Sequence, residues 1–341
     1  MKTWFLFLLP ILMLKCNSDI TKDFNLLVSK KDKKFTQSDT LEIKISNKKN
    51  HLIDSISFFL DQKPIRERLP LKDIPLGKRP LTAIVYSENK KLEYNSLITV
   101  FSNIKPQLYS YTIVNEYPHD KTAYTQGLEF FRDTLYESTG LRGKSSIRKV
   151  DYKTGAVINK KALDNVFFGE GITFLNDKLY QLTWQGNIGF QYNPNDFTVE
   201  RSFNYQQSKE GWGLCNDGEK IYKSDGTHQI WVLDPINQNE ISKIQVMTDK
   251  IALNKINELE WVAGKIYANT YQYKKEVGII IDPQSGVVEG VIDFSGLKEK
   301  VEQIPNLDVL NGIAYNPKRK TFFVTGKNWS KLFEVKISPK K

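Results

Sequence analysis

Five side chains that can form hydrogen bonds or aromatic walls recur between residues 126 and 311. Each directly precedes a glycine, or in one repeat a glutamate, and the intervals between these following positions are 44, 42, 45 and 54 residues. The set contains one carboxylate, three carboxamides and one indole: Glu170, Gln126, Asn257, Asn311 and Trp212. A single carboxylate can accept a proton from one substrate atom and return it to another. We therefore expect a small site with one titratable group and an aromatic wall.

Other catalytic chemistries find little support in the sequence. His51, His119 and His228 are far apart, and no pair of them has the spacing of zinc ligands. Cys215 has no neighbours that would lower its thiol pKa, so we interpret it as a buried apolar residue. A metal-dependent hydrolase or lactonase would need several acidic residues in the repeated set, which holds only Glu170. We expect catalysis to need no cofactor and leave open a structural calcium ion bound through backbone oxygens.

The elements that must position these residues are five repeats of about one length. Each repeat has a short strand, a turn containing Asp, Asn or Gly, and a second strand rich in β-branched and aromatic residues. The period is typical of propeller blades, and no helical periodicity interrupts the series. We predict a five-bladed β-propeller over residues 105–341, in which the first strand of each blade lines the central axis.

The region before the repeats, residues 19–104, alternates apolar and polar residues in short segments. Leu41, Ile43 and Ile45, for example, are separated by polar side chains. Such segments divided by turns are typical of a small β-sandwich. The predicted fold class is therefore all-β, a five-bladed β-propeller preceded by an immunoglobulin-like sandwich that serves as a spacer or docking module.

The first 18 residues have the features of an export signal. After Lys2, the apolar run from Trp4 to Leu14 is long enough for a signal-peptide core and too short to cross a bilayer. Cys16 lies where bacterial lipoproteins carry an acylated cysteine, although Lys15 fits that signal poorly. We expect an exported monomer, periplasmic or on the outer membrane of a bacterium. Two possibilities are open, lipidation at Cys16 and simple cleavage nearby. Lipidation would be the protein's one link to the membrane.

The formal net charge of +10 does not indicate a nucleic-acid partner. The lysines are spread along the chain, and no basic helix, arginine-rich arm or platform of aromatic and basic residues is present. A lysine-rich solvated surface explains the charge.

Ten short motifs occur in the same order along the repeats and cover about residues 111 to 335. They include Tyr124-Thr125-Gln126-Gly127-Leu128, Phe168-Gly169-Glu170-Gly171-Ile172, Glu210-Gly211-Trp212-Gly213-Leu214, Asn257-Glu258-Leu259-Glu260 and Thr325-Gly326-Lys327-Asn328-Trp329. In these motifs the sequence resembles the plant-type glutaminyl-peptide cyclotransferases, which are found also in bacteria. The leading sandwich is not part of the resemblance.

The resemblance implies a five-bladed propeller with a catalytic glutamate at Glu170 and an aromatic-walled pocket. The pocket residues that it implies are Gln126, Phe168, Trp184, Trp212, Asn257, Lys327 and Asn269. Two positions depart from the family pattern, because Tyr124 replaces a phenylalanine and Tyr271 replaces a tryptophan. Both remain aromatic, so we expect them to alter peptide preference or rate.

The implied reaction closes an N-terminal glutamine into pyroglutamate and releases ammonia. In our interpretation Glu170 transfers the proton, Asn257 and Lys327 donate to the oxyanion, and Gln126 orients the substrate. Phe168, Trp184 and Trp212 cover the glutamine side chain. The expected partners are peptides or proteins with N-terminal glutamine. An alternative is a non-catalytic exported propeller that binds peptide or glycan ends.

Overall fold

The structure is a computed structural model and describes residues 20–340. The predicted export signal and Cys16 lie outside the described residues. Between residues 20 and 340 the chain contains strands and two 3₁₀ turns, Ile20–Asp23 and Lys298–Lys300, without an α-helix. No membrane-spanning helix is found in this part of the chain. The prediction of an all-β protein is confirmed.

The described chain divides into two compact units. The first comprises residues 20–34, 40–70 and 79–98, and the second comprises residues 35–39, 71–78 and 99–340. The second unit includes residues 35–39, 71–78 and 99–104, which the predicted boundary at residue 104 assigns to the leading sandwich.

The leading part of the chain forms eight strands in two sheets. The sheet orders are β1-β3-β6 and β2-β8-β7-β4-β5. Phe24, Ile45, Val85 and Leu92 come from both sheets and form one apolar cluster. The strands are β1 (Phe24–Val28), β2 (Lys34–Thr36), β3 (Thr40–Asn47), β4 (Ile53–Leu60), β5 (Lys63–Ile65), β6 (Arg68–Pro70), β7 (Gly77–Ser87) and β8 (Lys90–Phe101).

The rest of the chain forms twenty strands. They are β9 (Gln107–Pro118), β10 (Thr125–Phe131), β11 (Thr134–Thr139), β12 (Ser146–Asp151), β13 (Ala156–Ala162), β14 (Gly169–Leu175), β15 (Lys178–Thr183), β16 (Ile188–Tyr192), β17 (Val199–Asn204), β18 (Leu214–Asn216), β19 (Ile221–Ser224), β20 (Gln229–Leu233), β21 (Glu240–Gln245), β22 (Ile256–Val262), β23 (Lys265–Thr270), β24 (Val277–Ile281), β25 (Val288–Asp293), β26 (Leu310–Asn316), β27 (Thr321–Gly326) and β28 (Lys331–Pro339).

These strands form three sheets of four and one of eight. The four-stranded sheets are β10 to β13, β14 to β17 and β18 to β21, each in sequence order. The eight-stranded sheet has the order β22-β23-β24-β25-β9-β28-β27-β26, and its two halves meet where β25 pairs in parallel with β9. Strand β9 also pairs with β28, so the beginning and the end of this unit share one sheet.

The first strands of these runs contact each other in a cyclic order. Strand β10 contacts β14, followed by β18, β22 and β26, which returns to β10. Glycine permits this approach, because a Cβ on Gly213 would lie 2.1 Å from the carbonyl oxygen of Asn257 and one on Gly171 would lie 2.6 Å from the Cα of Gly213. Steric exclusion around the ring thus explains the recurring glycine.

Apolar residues fill the spaces between neighbouring sheets. One cluster joins Leu182 and Phe203 of the second four-stranded sheet to Leu214, Trp231 and Leu233 of the third. The clusters on either side of it differ in composition, one mainly of branched aliphatic residues and the other rich in aromatic residues. Because the inner strands of neighbouring sheets are buried against one another, whereas outer strands such as β13 are exposed, the inner strand ends are held rigidly.

Candidate active site

Local irregularities in the first strands aim the recurrent polar residues away from the sheets. The pairing register shifts between Thr125 and Gly127 in β10, between Gly169 and Ile172 in β14, and at the corresponding points of β22 and β26. Gln126, Glu170, Asn257 and Asn311 lie within these shifts. A bulge breaks the alternation of side chains and re-aims one residue, which explains why this position differs from the apolar strand residues beside it.

Nine of the ten predicted site residues line one cavity of about 180 Å³. Its lining consists of Tyr124, Gln126, Phe168, Glu170, Trp184, Trp212, Asn257, Tyr271 and Lys327. Asn269 does not line the cavity, because its Oδ1 accepts a hydrogen bond from the backbone N–H of Gly312 at 2.9 Å. This volume lies below the range of roughly 300–1,000 Å³ that is usual for drug-sized ligands, so the cavity suits one amino-acid side chain.

Glu170 is a buried carboxyl group that receives no hydrogen bond from the described residues. Its side chain is 4% exposed, and its Oε2 is enclosed without a partner. Burial raises the pKa of Glu170 well above the usual range, the charge of Lys327 opposes this rise, and the charge of Glu210 adds to it. Burying a carboxyl oxygen without a hydrogen-bond partner costs free energy, so this oxygen marks a position where we expect a ligand atom to bind.

Lys327 provides a second buried charge in the cavity. Its Nζ lies 4.8 Å from the ring centroids of both Tyr124 and Tyr271 and forms no ion pair or hydrogen bond within residues 20–340. Burial lowers the pKa of Lys327 to about 8, and the charges of Glu170 and Asp308 oppose this shift. The ammonium group is therefore protonated at neutral pH, with its donors free for a bound molecule.

The carboxamides differ in how they are held. The Oε1 of Gln126 accepts a hydrogen bond from the Nδ2 of Asn311 at 3.1 Å, and that nitrogen also donates to the carbonyl oxygen of Thr125 at 3.0 Å. Asn311 therefore orients Gln126 without lining the cavity. The Oδ1 of Asn257, like the Oε2 of Glu170, is buried without a partner. Gln126 is thus pre-oriented, whereas Asn257 retains an acceptor for a ligand.

The aromatic side chains enclose the cavity through edge-to-face contacts. Phe168 meets Tyr124 at a centroid distance of 6.1 Å and Trp184 at 5.5 Å, and Trp212 meets Tyr271 at 5.9 Å. Such contacts fix the rings in place and exclude water from the space between them.

Two acidic residues that the sequence analysis did not assign to the site hold this wall in place. The Oε2 of Glu210 accepts hydrogen bonds from the indole nitrogens of both Trp184, at 2.7 Å, and Trp212, at 2.8 Å. The Oδ2 of Asp308 accepts one from the hydroxyl of Tyr124 at 2.7 Å. Glu210 belongs to the motif that contains Trp212, two residues later, and this motif could have pointed to it. No sequence motif pointed to Asp308.

The described residues contain no group of three or more His, Cys, Asp or Glu side chains arranged to hold a metal ion. Cys215 is buried, and burial raises its thiol pKa well above the usual value. It does not line the cavity that contains Glu170.

Comparison with known proteins agrees with this geometry. The model of the family described as "Glutamine cyclotransferase" matches residues 84–337. A glutaminyl-peptide cyclotransferase of Arabidopsis thaliana is 40% identical over 228 residues, which is 66% of this chain and 70% of that protein. The crystal structure of Myxococcus xanthus glutaminyl cyclase superimposes with a TM-score of 0.65 at 34% identity, covering 70% of this chain and 100% of that one.

The sheets and the enclosed carboxyl group therefore define an all-β protein of the glutaminyl cyclase fold. The chain belongs to the glutamine cyclotransferase family. The family match begins at residue 84, inside the leading region, which corrects the expectation that this region has no part in the resemblance.

Proposed function

We propose that this chain is a glutaminyl-peptide cyclotransferase that converts the N-terminal glutamine of peptides and proteins to pyroglutamate. Membership of the family and the two relatives support this activity. The observation that carries the mechanism is the enclosed Glu170 carboxyl group with an unpartnered oxygen in a cavity of side-chain size.

The geometry of the substrate supplies much of the acceleration. Nucleophile and electrophile belong to one residue, so a cavity that holds the glutamine side chain folded back over its own α-amine brings the reacting atoms together. The α-amine has a reference pKa of about 7.7–8.0, and a useful fraction is unprotonated at neutral pH. No protein nucleophile is needed.

Glu170 carries the proton between the two nitrogens. The amine nitrogen forms a bond to the γ-carboxamide carbon and gives a proton to the Glu170 carboxylate, which then protonates the amide nitrogen as its bond to carbon breaks and ammonia leaves. Because burial raises the pKa of Glu170, its carboxylate is a stronger base than an exposed one, and proton transfer from the amine costs less free energy.

The remaining residues stabilise charge and exclude water. Lys327, protonated at neutral pH, and the Nδ2 group of Asn257 donate to the oxyanion that forms on the amide oxygen, while the Oδ1 of Asn257 remains an acceptor for a substrate N–H group. Gln126, oriented by Asn311, positions the substrate. Phe168 and Trp184 belong to the wall that keeps water from the carbonyl, so cyclisation outcompetes hydrolysis.

The proposal includes the architecture and the location of the protein. The cyclic contacts of five first strands support a five-bladed propeller, and the two leading sheets support an immunoglobulin-like sandwich. We retain the assignment of an exported monomer without nucleic-acid partners, held by lipid at Cys16 or released after cleavage. Mass spectrometry of the mature N-terminus distinguishes these two forms.

Release of ammonia tests the proposed activity. The mature protein should release ammonia from a Gln-initiated dipeptide and none from a Glu-initiated one, with or without a chelator. A binding protein would release none, and a metal-dependent enzyme would stop with the chelator. Activity lost with the chelator and restored by calcium would assign a role to a bound calcium ion.

The Glu170→Gln variant tests the assigned role. It should fold with an unchanged circular dichroism spectrum and lose most of the activity, because glutamine cannot accept the proton. Asn311→Ala, which releases Gln126 without removing the proton carrier, should retain more activity. Full activity in Glu170→Gln would disprove the mechanism.

A further inference from the structure

We propose that a second cavity beside the glutamine site binds the residues that follow the terminal glutamine, and that it favours acidic side chains there. This inference rests on the proposed function and adds a substrate preference to it. The cavity has a volume of about 570 Å³, within the range of roughly 300–1,000 Å³ that is usual for ligand sites.

The two cavities share a wall. Trp212 lines both of them, and Glu210, which accepts the hydrogen bond from the Trp212 indole, lines the larger one. A peptide whose first residue is enclosed beside Glu170 must extend outside this cavity, because the cavity holds little more than one side chain. The larger cavity adjoins it across Trp212, so we place the following residues there.

Strand topology places both cavities at the same end of the sheets. Trp212 precedes β18, and residues 225–229 connect β19 to the start of β20, so both segments lie at the same end of this antiparallel sheet. Trp184 and Lys327 follow the second strands of their own runs and lie at the equivalent end. A bound peptide can thus pass between the cavities without crossing a sheet.

The acidic groups of the larger cavity are engaged within the protein. Glu210 accepts hydrogen bonds from two indoles and from Gln185. The Oδ2 of Asp225 accepts one from the Nε1 of Trp231 at 2.7 Å, and its Oδ1 accepts two from Thr227. Both carboxylates serve to hold the lining in place.

The basic groups of the cavity have no carboxylate partner among residues 20–340. Lys209 forms no ion pair there, and the Nζ of Lys243 lies 4.9 Å from the ring centroid of Trp231. The Oε1 of Gln229, which also lines the cavity, is enclosed without a hydrogen-bond donor. The site therefore offers two unpaired cations to acidic side chains and one acceptor to a peptide N–H group.

The length of an extended peptide fits this division of roles. A peptide advances by at most about 3.3–3.6 Å per residue, so a dipeptide ends near the shared wall, whereas a pentapeptide extends well beyond it. Only the longer substrate should respond to the charges at Lys209 and Lys243.

The test compares kcat/KM for three amidated pentapeptides, Gln-Ala-Ala-Ala-Ala, Gln-Ala-Glu-Glu-Ala and Gln-Ala-Lys-Lys-Ala, each divided by the value for Gln-Ala-amide. We expect the acidic peptide to exceed the basic one by about two- to tenfold, mainly through KM, and the difference to shrink at high salt. Lys209→Glu and Lys243→Glu should each reduce or reverse the order.

The matched control is Lys336→Glu, an exposed lysine on β28 that lies outside both cavities. It changes the net charge equally and should preserve the order of the peptides. Equal ratios for acidic and basic peptides, or an equal effect of Lys336→Glu, would overturn the subsite. Absence of ammonia from Gln-Ala-amide would instead overturn the proposed function, so the two failures are distinguishable.

Discussion

Replacing Glu210 by alanine should loosen two tryptophans of the cavity wall at once. Each hydrogen bond to a charged acceptor contributes about 1.5–3 kcal/mol where water is excluded. Trp184 and Trp212 are half-buried, so water replaces part of each bond, and we expect a total loss of about 2 kcal/mol. If half of that loss or more falls on the enclosed substrate, kcat/KM decreases by about five- to thirtyfold, with an increase in KM.

Glu210→Gln is the matched control, because it retains an oxygen that can accept from both indoles. Neutral hydrogen bonds are roughly half as strong as charged ones, so the effect on kcat/KM should be only a few-fold. This variant also removes the negative charge that helps to raise the pKa of Glu170, and Lys327 remains as the opposing charge. The acidic limb of the pH profile should therefore move to lower pH.

The assay is kcat/KM for Gln-Ala-amide between pH 5 and 10, together with tryptophan fluorescence and thermal unfolding. A role in folding stability alone would lower the melting temperature of Glu210→Ala and leave kcat/KM for the two variants equal. If Glu210→Ala retained the wild-type kcat/KM and fluorescence, the inference that Glu210 positions the wall would be wrong.

Two further predictions follow from buried charges. Lys327 should lose its proton with a pKa of about 8, so kcat/KM should fall above that pH. Lys327→Arg should abolish this alkaline limb of the pH profile, because arginine stays protonated. An unchanged limb in Lys327→Arg would show that another group causes it. Glu260 has a pKa raised by burial and by Glu129, so the folded state binds its proton more tightly than the unfolded state does. Its stabilising contribution is complete below about pH 4 and is lost as the pH rises through the raised value. Glu260→Gln should make the melting temperature less dependent on pH between 5 and 9, and each kcal/mol of lost pH-dependent stability corresponds to about 2–4 °C. The control, Glu219→Gln at an exposed position, should behave as wild type. An equal change in both variants would refute the assignment.

The site positions could be predicted from the sequence because a steric rule marks them. Neighbouring first strands approach so closely at Gly171 and Gly213 that a side chain there would overlap the next backbone, and the residue before each glycine lies at the same level. Repetition of that rule identifies Glu170 and Gln126 from the sequence alone. The blade count and the immunoglobulin-like character of the leading sheets remain predictions.

Residues outside this rule, such as Phe168 and Lys327, were predicted only through the family resemblance, and some residues that support the site were not predicted at all. Glu210 and Asp308 hold the aromatic wall through loops that vary between repeats, so repetition gives no signal for them. Asn269 resembled a pocket residue by motif, but the backbone of Gly312 lies 43 positions away in the chain and becomes its partner only when β23 and β26 are adjacent. Contacts of this kind depend on tertiary geometry.

The other carboxylates of the first strands show why Glu170 is distinct. The inner edge of each first strand leaves N–H groups without a sheet partner, and such groups must be satisfied when buried. Glu258 accepts hydrogen bonds from the N–H groups of Leu128 and Ile313, and Glu260 accepts one from Tyr315. These carboxylates thus replace a missing neighbouring strand. Glu170 receives no such bond, although it is equally buried, so the free energy of burying it is recovered only when a substrate nitrogen lies beside it.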